Sequence, residues 1–135
     1  MNERSIRSLS LSTIALARQF GIRVTAEQVE EKISRGHISS QNDLEQTFKE
    51  QGIKLQYLKP SLRTLIERSY YFPCVAILRD GTSRILISCK VNEQNIAEFQ
   101  TIDPLDPTNK VVVENETEFK SSWNGAVFLV SRETG

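Results

Sequence analysis

Ile96-Ala97-Glu98-Phe99-Gln100-Thr101-Ile102-Asp103-Pro104 reads as a strand that delivers an Asp-Pro at its end. Its neighbours make it one member of a series. Residues 85–91 form the strand before it, and Asn92 to Asn95 turn the chain between the two. Further upstream, Asp80-Gly81 is a hairpin turn signal. The run Cys74-Val75-Ala76-Ile77-Leu78, entered after Pro73, has the unbroken apolar character of a buried strand. Downstream, Pro104 and Pro107 bracket a loop, and Val111 to Val113 form a short strand. A helical turn is expected around residues 116–122 and an Asn124-Gly125 turn after it. Ala126-Val127-Phe128-Leu129-Val130 closes the series as another buried strand.

The first half of the chain has a different period. Leu9, Thr13, Leu16, Ala17 and Phe20 recur at helical spacing, which predicts a helix over residues 6–20 stopped by Gly21. Thr25 and Gln28 have the spacing of a capping box, with Val24 and Val29 at the staple positions, so a second helix starts there and ends at Gly36. A third runs from about Ser40 to Gln51 on Leu44 and Phe48, and Gly52 closes it. Residues 53–58 alternate as a half-buried strand, and Pro60-Ser61 opens a short helical segment holding Leu62, Leu65 and Ile66. Helices first and hairpin-linked strands second is an α+β order with an antiparallel sheet.

Composition narrows the function. At 135 residues the chain is expected to be one domain, residues 1–135, with a core that needs neither disulfides nor metal. Lys+Arg and Asp+Glu balance at 17 each, so no global field attracts nucleic acid, and no basic cluster with interleaved aromatics appears. No apolar run approaches the ~18–20 residues of a membrane span, and Met1-Asn2-Glu3-Arg4 lacks a signal-peptide pattern. Cys74 and Cys89 both lie in apolar strands without a Cys-x-x-Cys or nearby His, so they are expected to be reduced, buried thiols rather than zinc ligands. A cytoplasmic setting follows from that cysteine usage.

The order and spacing of these segments resemble the bacteriocin-processing, or double-glycine, cysteine peptidases, the N-terminal cytoplasmic domains of certain ABC exporters. Four stretches carry the resemblance: the helix 8–21 that ends in Phe20-Gly21, the segment 24–29, Phe72-Pro73 with the strand and Asp80-Gly81 turn after it, and Thr101-Ile102-Asp103-Pro104. It covers nearly the whole chain and implies a papain-like cysteine peptidase fold, with N-terminal helices packed on an antiparallel sheet. It also implies a full-length transporter whose membrane helices and ATPase follow after Gly135. No P-loop pattern occurs within these residues, so ATP binding would belong to those other domains, and no cofactor is expected in this one.

The resemblance also locates the departures. Counting back from Gly21 puts Ser8 where the family has its nucleophilic Cys, Arg7 where the preceding Asp stands and Leu9 where a Gly follows. Counting from Gly81 puts Ser83, or Arg84 after a one-residue slip, where the His stands. The oxyanion Gln would fall at Asn2, and only Asp103 keeps the family identity. A thiolate forms by passing its proton to an imidazole that a carboxylate orients. A Ser hydroxyl needs that base even more. The single histidine, His37, lies in a loop without a family role. Ser8 is therefore expected to cap the first helix rather than to attack a peptide, and Asp103 to open a turn.

Degenerate domains of this kind resemble those of RTX-toxin and adhesin exporters in type I secretion. The domain is thus expected to bind an unfolded secreted polypeptide at the cytoplasmic face of the bacterial inner membrane without cleaving it. Tyr70-Tyr71-Phe72 and Trp123 are the candidate aromatic contacts, expected to be partly exposed, against the plainer reading that they cap the ends of the core. Arg84 is the candidate partner for an acidic peptide. The competing readings are a residual leader-peptide peptidase using Ser8 and a free-standing peptide-binding adaptor.

Overall fold

The structure, a computed structural model, describes residues 2–68 and 71–133. The elements follow the expected order: α1 (Glu3–Gln19), α2 (Ala26–Ser34), α3 (Gln41–Glu50), β1 (Ile53–Leu58), α4 (Leu62–Glu67), β2 (Cys74–Leu78), β3 (Ser83–Val91), β4 (Ala97–Ile102), β5 (Val111–Asn115), α5 (Glu116–Ser122) and β6 (Trp123–Arg132). The strands form one antiparallel sheet in the order β1-β6-β2-β3-β4-β5, so the last strand of the chain is inserted between the first two.

Helices cover both faces of this sheet, which explains why β2 is an unbroken apolar run. Alternate strand residues point to opposite faces. Val75, Ile77, Ile85, Ala126, Phe128 and Val130 join a core with Leu9, Leu16, Val29, Leu44 and Phe48 of α1 to α3. Cys74, Ala76, Leu86 and Val127 face the other way and join a second core with Leu65 of α4, Phe99 of β4, Phe119 of α5 and Trp123. Phe99 and Phe119 stack at 4.2 Å between centroids, and Trp123 lies 5.4 Å from Phe119. The α+β expectation, N-terminal helices packed on an antiparallel sheet, holds, with α4 and α5 adding a layer on the other face.

α1 begins earlier than its apolar period suggests. Asn2 is its N-cap, and its Oδ1 accepts from the Ser5 N–H at 2.8 Å. The additional turn contributes Ser5, which shares one buried face with Ser8 and Ser12. Their size lets α1 lie close to the β2–β3 turn. A Cβ on Gly81 would sit 2.6 Å from Ser5 Oγ, and Gly81 has φ +88, a conformation that favours glycine.

Two local expectations are corrected. Thr25 is the N-cap of α2, but its side chain makes no capping bond. Gln51, from the end of α3, instead accepts the Thr25 N–H through Oε1, so no Thr25–Gln28 box forms. The expected turn at Asn124-Gly125 lies inside β6. There the pairing with β2 shifts register between Ala76 and Leu78, Gly125 adopts φ +98, and Asn124 Oδ1 accepts the Ala126 N–H. An Asn-Gly pair suits a bulge for the same reason it suits a turn, a tolerated positive φ.

Candidate functional site

Ser8 is not a cap. It lies in the second turn of α1, fully buried, and faces the start of β3. Its Oγ accepts the Ser83 N–H at 2.8 Å and lies 3.0 Å from Ser83 Oγ, which in turn lies 2.9 Å from Ser12 Oγ. Three buried hydroxyls therefore close on one another and on one backbone N–H. The Ser8 Oγ also lies 3.3 Å from the Ser83 carbonyl oxygen, within reach as a donor. The helix placed Ser8 here because the cap position had already gone to Asn2, six residues earlier in the chain.

Asn2 is likewise accounted for. Its side-chain oxygen caps α1 by accepting the Ser5 N–H. Arg7, one residue before Ser8, points outward and pairs with Glu3 at 2.8 Å and with Glu30 of α2.

Ser83 and Arg84, the two residues at which counting placed the His position, make separate contacts. They are consecutive in β3, so they project to opposite faces of the sheet. Ser83 faces α1 and Ser8. Arg84 faces Asp103, which follows β4, and forms an ion pair with it, Nη1 lying 2.6 Å from Oδ2. The other carboxylate oxygen, Oδ1, accepts the Leu105 N–H at 2.9 Å in an Asx turn over Pro104. Both oxygens of Asp103 are thus engaged. Its expected role as a turn former is realised, and the two residues left open by counting make different contacts: Ser83 meets Ser8, and Arg84 meets Asp103. Around this pair Thr101, Asp106, Lys110, Val112 and Glu114 form a small cavity of about 200 Å³. Burial holds the Glu114 carboxyl above its ordinary range, against the opposing pull of Arg84.

His37 lies exposed in the turn that ends α2, where its backbone N–H donates to the Lys32 carbonyl. Among the described residues it shares no hydrogen bond with Ser8, Ser83 or Asp103. The cysteines offer no substitute nucleophile. Cys74 is completely buried in β2, and burial pushes its thiol up to about 12. Cys89, half-buried in β3, is pushed up to about 11 by burial first and by Glu116 second. Both are free thiols. In the native protein at pH 8, iodoacetamide is expected to alkylate Cys89 roughly a hundredfold more slowly than an ordinary thiol, and Cys74 more slowly still, with both reacting promptly in denaturant. Prompt native labelling, read by intact mass, would contradict that placement.

The aromatic candidates separate. Trp123, expected to be partly exposed, is buried in the second core, with Nε1 donating to the Ala126 carbonyl at 2.8 Å. The plainer reading applies to it: a ring that closes the end of the core, its N–H satisfied within its own strand. Tyr71 and Phe72 are half-buried against the same core, as are Leu62 and Ile66. Leu62 and Ile66 also line an open groove of about 590 Å³ between α4, the β3–β4 hairpin and α5, with Arg63, Glu67, Glu116 and Lys120 at its rim. Tyr70 lies outside the described residues. No helix among the described residues is long and apolar enough to cross a membrane.

Similar folds occur in solved structures of transporter domains. One is a double glycine motif protease from an AMS/PCAT transporter, in complex with its leader peptide. It is 18% identical at TM-score 0.70, over 91% of this chain and 82% of that one. Another is the N-terminal peptidase C39 like domain of the toxin secretion ATP-binding protein from Vibrio parahaemolyticus, 20% identical at TM-score 0.67, over 93% of this chain and 96% of that one. A third is the peptidase domain of Streptococcus ComA, a bi-functional ABC transporter of a quorum sensing pathway, 16% identical at TM-score 0.71, over 98% and 94%. No curated protein sequence matches the chain. Residues 2–135 match the peptidase C39 family from one end of the described fold to the other, and the chain belongs to that family.

Proposed function

We propose that this chain is the cytoplasmic N-terminal domain of a type I secretion ABC transporter, and that it holds an unfolded secreted polypeptide, of the RTX toxin or adhesin kind, without cutting it. The observation that carries the reading is the division at β3. Ser8 Oγ is buried and bonded to Ser83, while Asp103 is bonded through both oxygens to Arg84 and Leu105 on the other face of the strand. Acyl transfer needs a base within hydrogen-bond reach of the nucleophile and a carboxylate behind that base. Here an arginine, which cannot accept a proton at physiological pH, takes the carboxylate. The likeness to the toxin-secretion domain of Vibrio parahaemolyticus supports the transporter setting.

The surface beside Tyr71 and Phe72 is the peptide contact in this reading. Apolar Leu62 and Ile66 floor its groove, and charges of both signs rim it. An extended chain can lay side chains there while its backbone stays solvated. Arg84, tied to Asp103, is a secondary contact at most.

Two measurements test the proposal together. Prolonged incubation with a double-glycine leader peptide is expected to leave the peptide intact by mass spectrometry, and titration with an acidic, unfolded RTX polypeptide is expected to give saturable binding weakened by Tyr71→Ala. Cleavage that disappears in Ser8→Ala would establish the residual peptidase instead. Failure to bind any unfolded polypeptide would remove the tethering role.

A further inference from the structure

The two edges of the sheet are not protected alike. β1, at one edge, carries Lys54 within it and is followed at once by Lys59 and Pro60, devices that discourage pairing with another strand. β5, at the other edge, has no proline, bulge or charge in its first three residues. Val111, Val112 and Val113 there are 51%, 40% and 54% exposed. β5 pairs only with β4, so alternate N–H and C=O groups along it point away from the sheet.

The charges that flank this apolar run are arranged in a particular way. Lys110 precedes it and Glu114 follows it, each two residues from Val112. Lys110, Val112 and Glu114 lie on one face of the strand and line the same small cavity. In an antiparallel pairing of two copies centred on Val112, Val111 stands opposite Val113, and Lys110 of each copy stands opposite Glu114 of the other. Directly opposed unlike charges stabilise a strand pair, and like charges oppose it. A shift of one residue in the two-fold register sets Lys110 against Val113 and Glu114 against Asn109, leaving both charges without a counterpart.

We propose that the β5 edge is a self-association surface: two copies of this domain pair antiparallel through residues 110–114, about a two-fold axis at Val112, and join their sheets into one. The self-complementary order of charges selects a second copy over an arbitrary extended peptide. The contact is short, so the dimer is weak and forms at high local concentration.

Sedimentation equilibrium from about 10 µM to 1 mM at low salt reads the association, because exposed charge pairs are screened as ionic strength rises. The expected result is a reversible monomer–dimer equilibrium. Lys110→Glu alone and Glu114→Lys alone each set like charges opposite one another in both halves of the interface and are expected to weaken the dimer about tenfold. An equimolar mixture of the two variants restores both unlike pairs and is expected to recover wild-type affinity as a heterodimer. Val112→Lys, which opposes its own copy at the axis, is expected to abolish association, and it keeps the test decisive should Glu114→Lys disturb its neighbour Arg84. Circular dichroism confirms that each variant is folded. A monomer across the whole range would overturn the proposal. So would a dimer unaffected by any of the variants, or a monomer whose β5 amides are instead protected from exchange by an added unfolded polypeptide.

Discussion

Phe119→Ala is expected to lower the unfolding free energy by about 3–5 kcal/mol, measured from urea midpoints at constant slope. Phe119 is the one residue of α5 that is fully buried. It stacks on Phe99 at 4.2 Å and reaches Trp123 on its other side, so its ring joins a helix, β4 and the start of β6. Truncation removes the transfer energy of the ring and leaves a cavity between groups held by the sheet, which can collapse only partly. The lost ring contacts add about 0.5–1.5 kcal/mol of the aromatic kind. Set against the ~5–15 kcal/mol typical of a domain, that is a large fraction. Phe119→Leu keeps most of the volume and is expected to cost well under half as much. A loss below about 1 kcal/mol for the alanine variant would show that α5 is not fastened by this residue.

The second large effect concerns Ser8. Ser8→Ala is expected to cost about 1–3 kcal/mol, because the buried Ser83 N–H loses its acceptor. Ser83→Ala is expected to cost less. It removes a hydroxyl but keeps the N–H bond to Ser8, and Ser12 can turn back to the carbonyl four residues before it. Ser8→Cys retains the atom's place but offers a weak sulfur acceptor, so it is expected to fall between the two and to gain no peptidase activity. The ordering of the three melting temperatures is the check. If Ser8→Ala melts like the wild type, the hydroxyl is not a structural group, and the residual peptidase becomes the better reading.

Much of the fold was legible because its punctuation is local. Gly21, Gly36 and Gly52 all adopt positive φ immediately after helices whose ends the apolar spacing marks. The strands 53–58 and 74–78 fall where alternation and the buried run place them. What was not legible depends on distant partners. Serine favours helix caps, so Ser8 reads as one. Its real partner, Ser83, is 75 residues away, and only the tertiary fold brings it into reach. Gln51 displaces Gln28 at the start of α2 for the same reason. Trp123 lies outside the clear core runs, which suggests partial exposure, whereas its indole is buried and donates to the Ala126 carbonyl. The ambiguity between Ser83 and Arg84 was of another kind. Counting cannot separate adjacent residues, but strand alternation sends them to opposite faces, Ser83 toward Ser8 and Arg84 toward Asp103.

The insertion of β6 between β1 and β2 has a consequence for how the domain is made. β1 has no partner in the sheet other than β6. As the chain leaves the ribosome, helices α1 to α3 and the hairpins of β2 to β5 are locally connected, but the strand that joins them to β1 arrives last. Non-local pairing of that kind is slow, because loop closure precedes its reward. Among the described strands β6 alone joins β1 to β2, so the six-stranded sheet can be completed only once residues 123–132 are available.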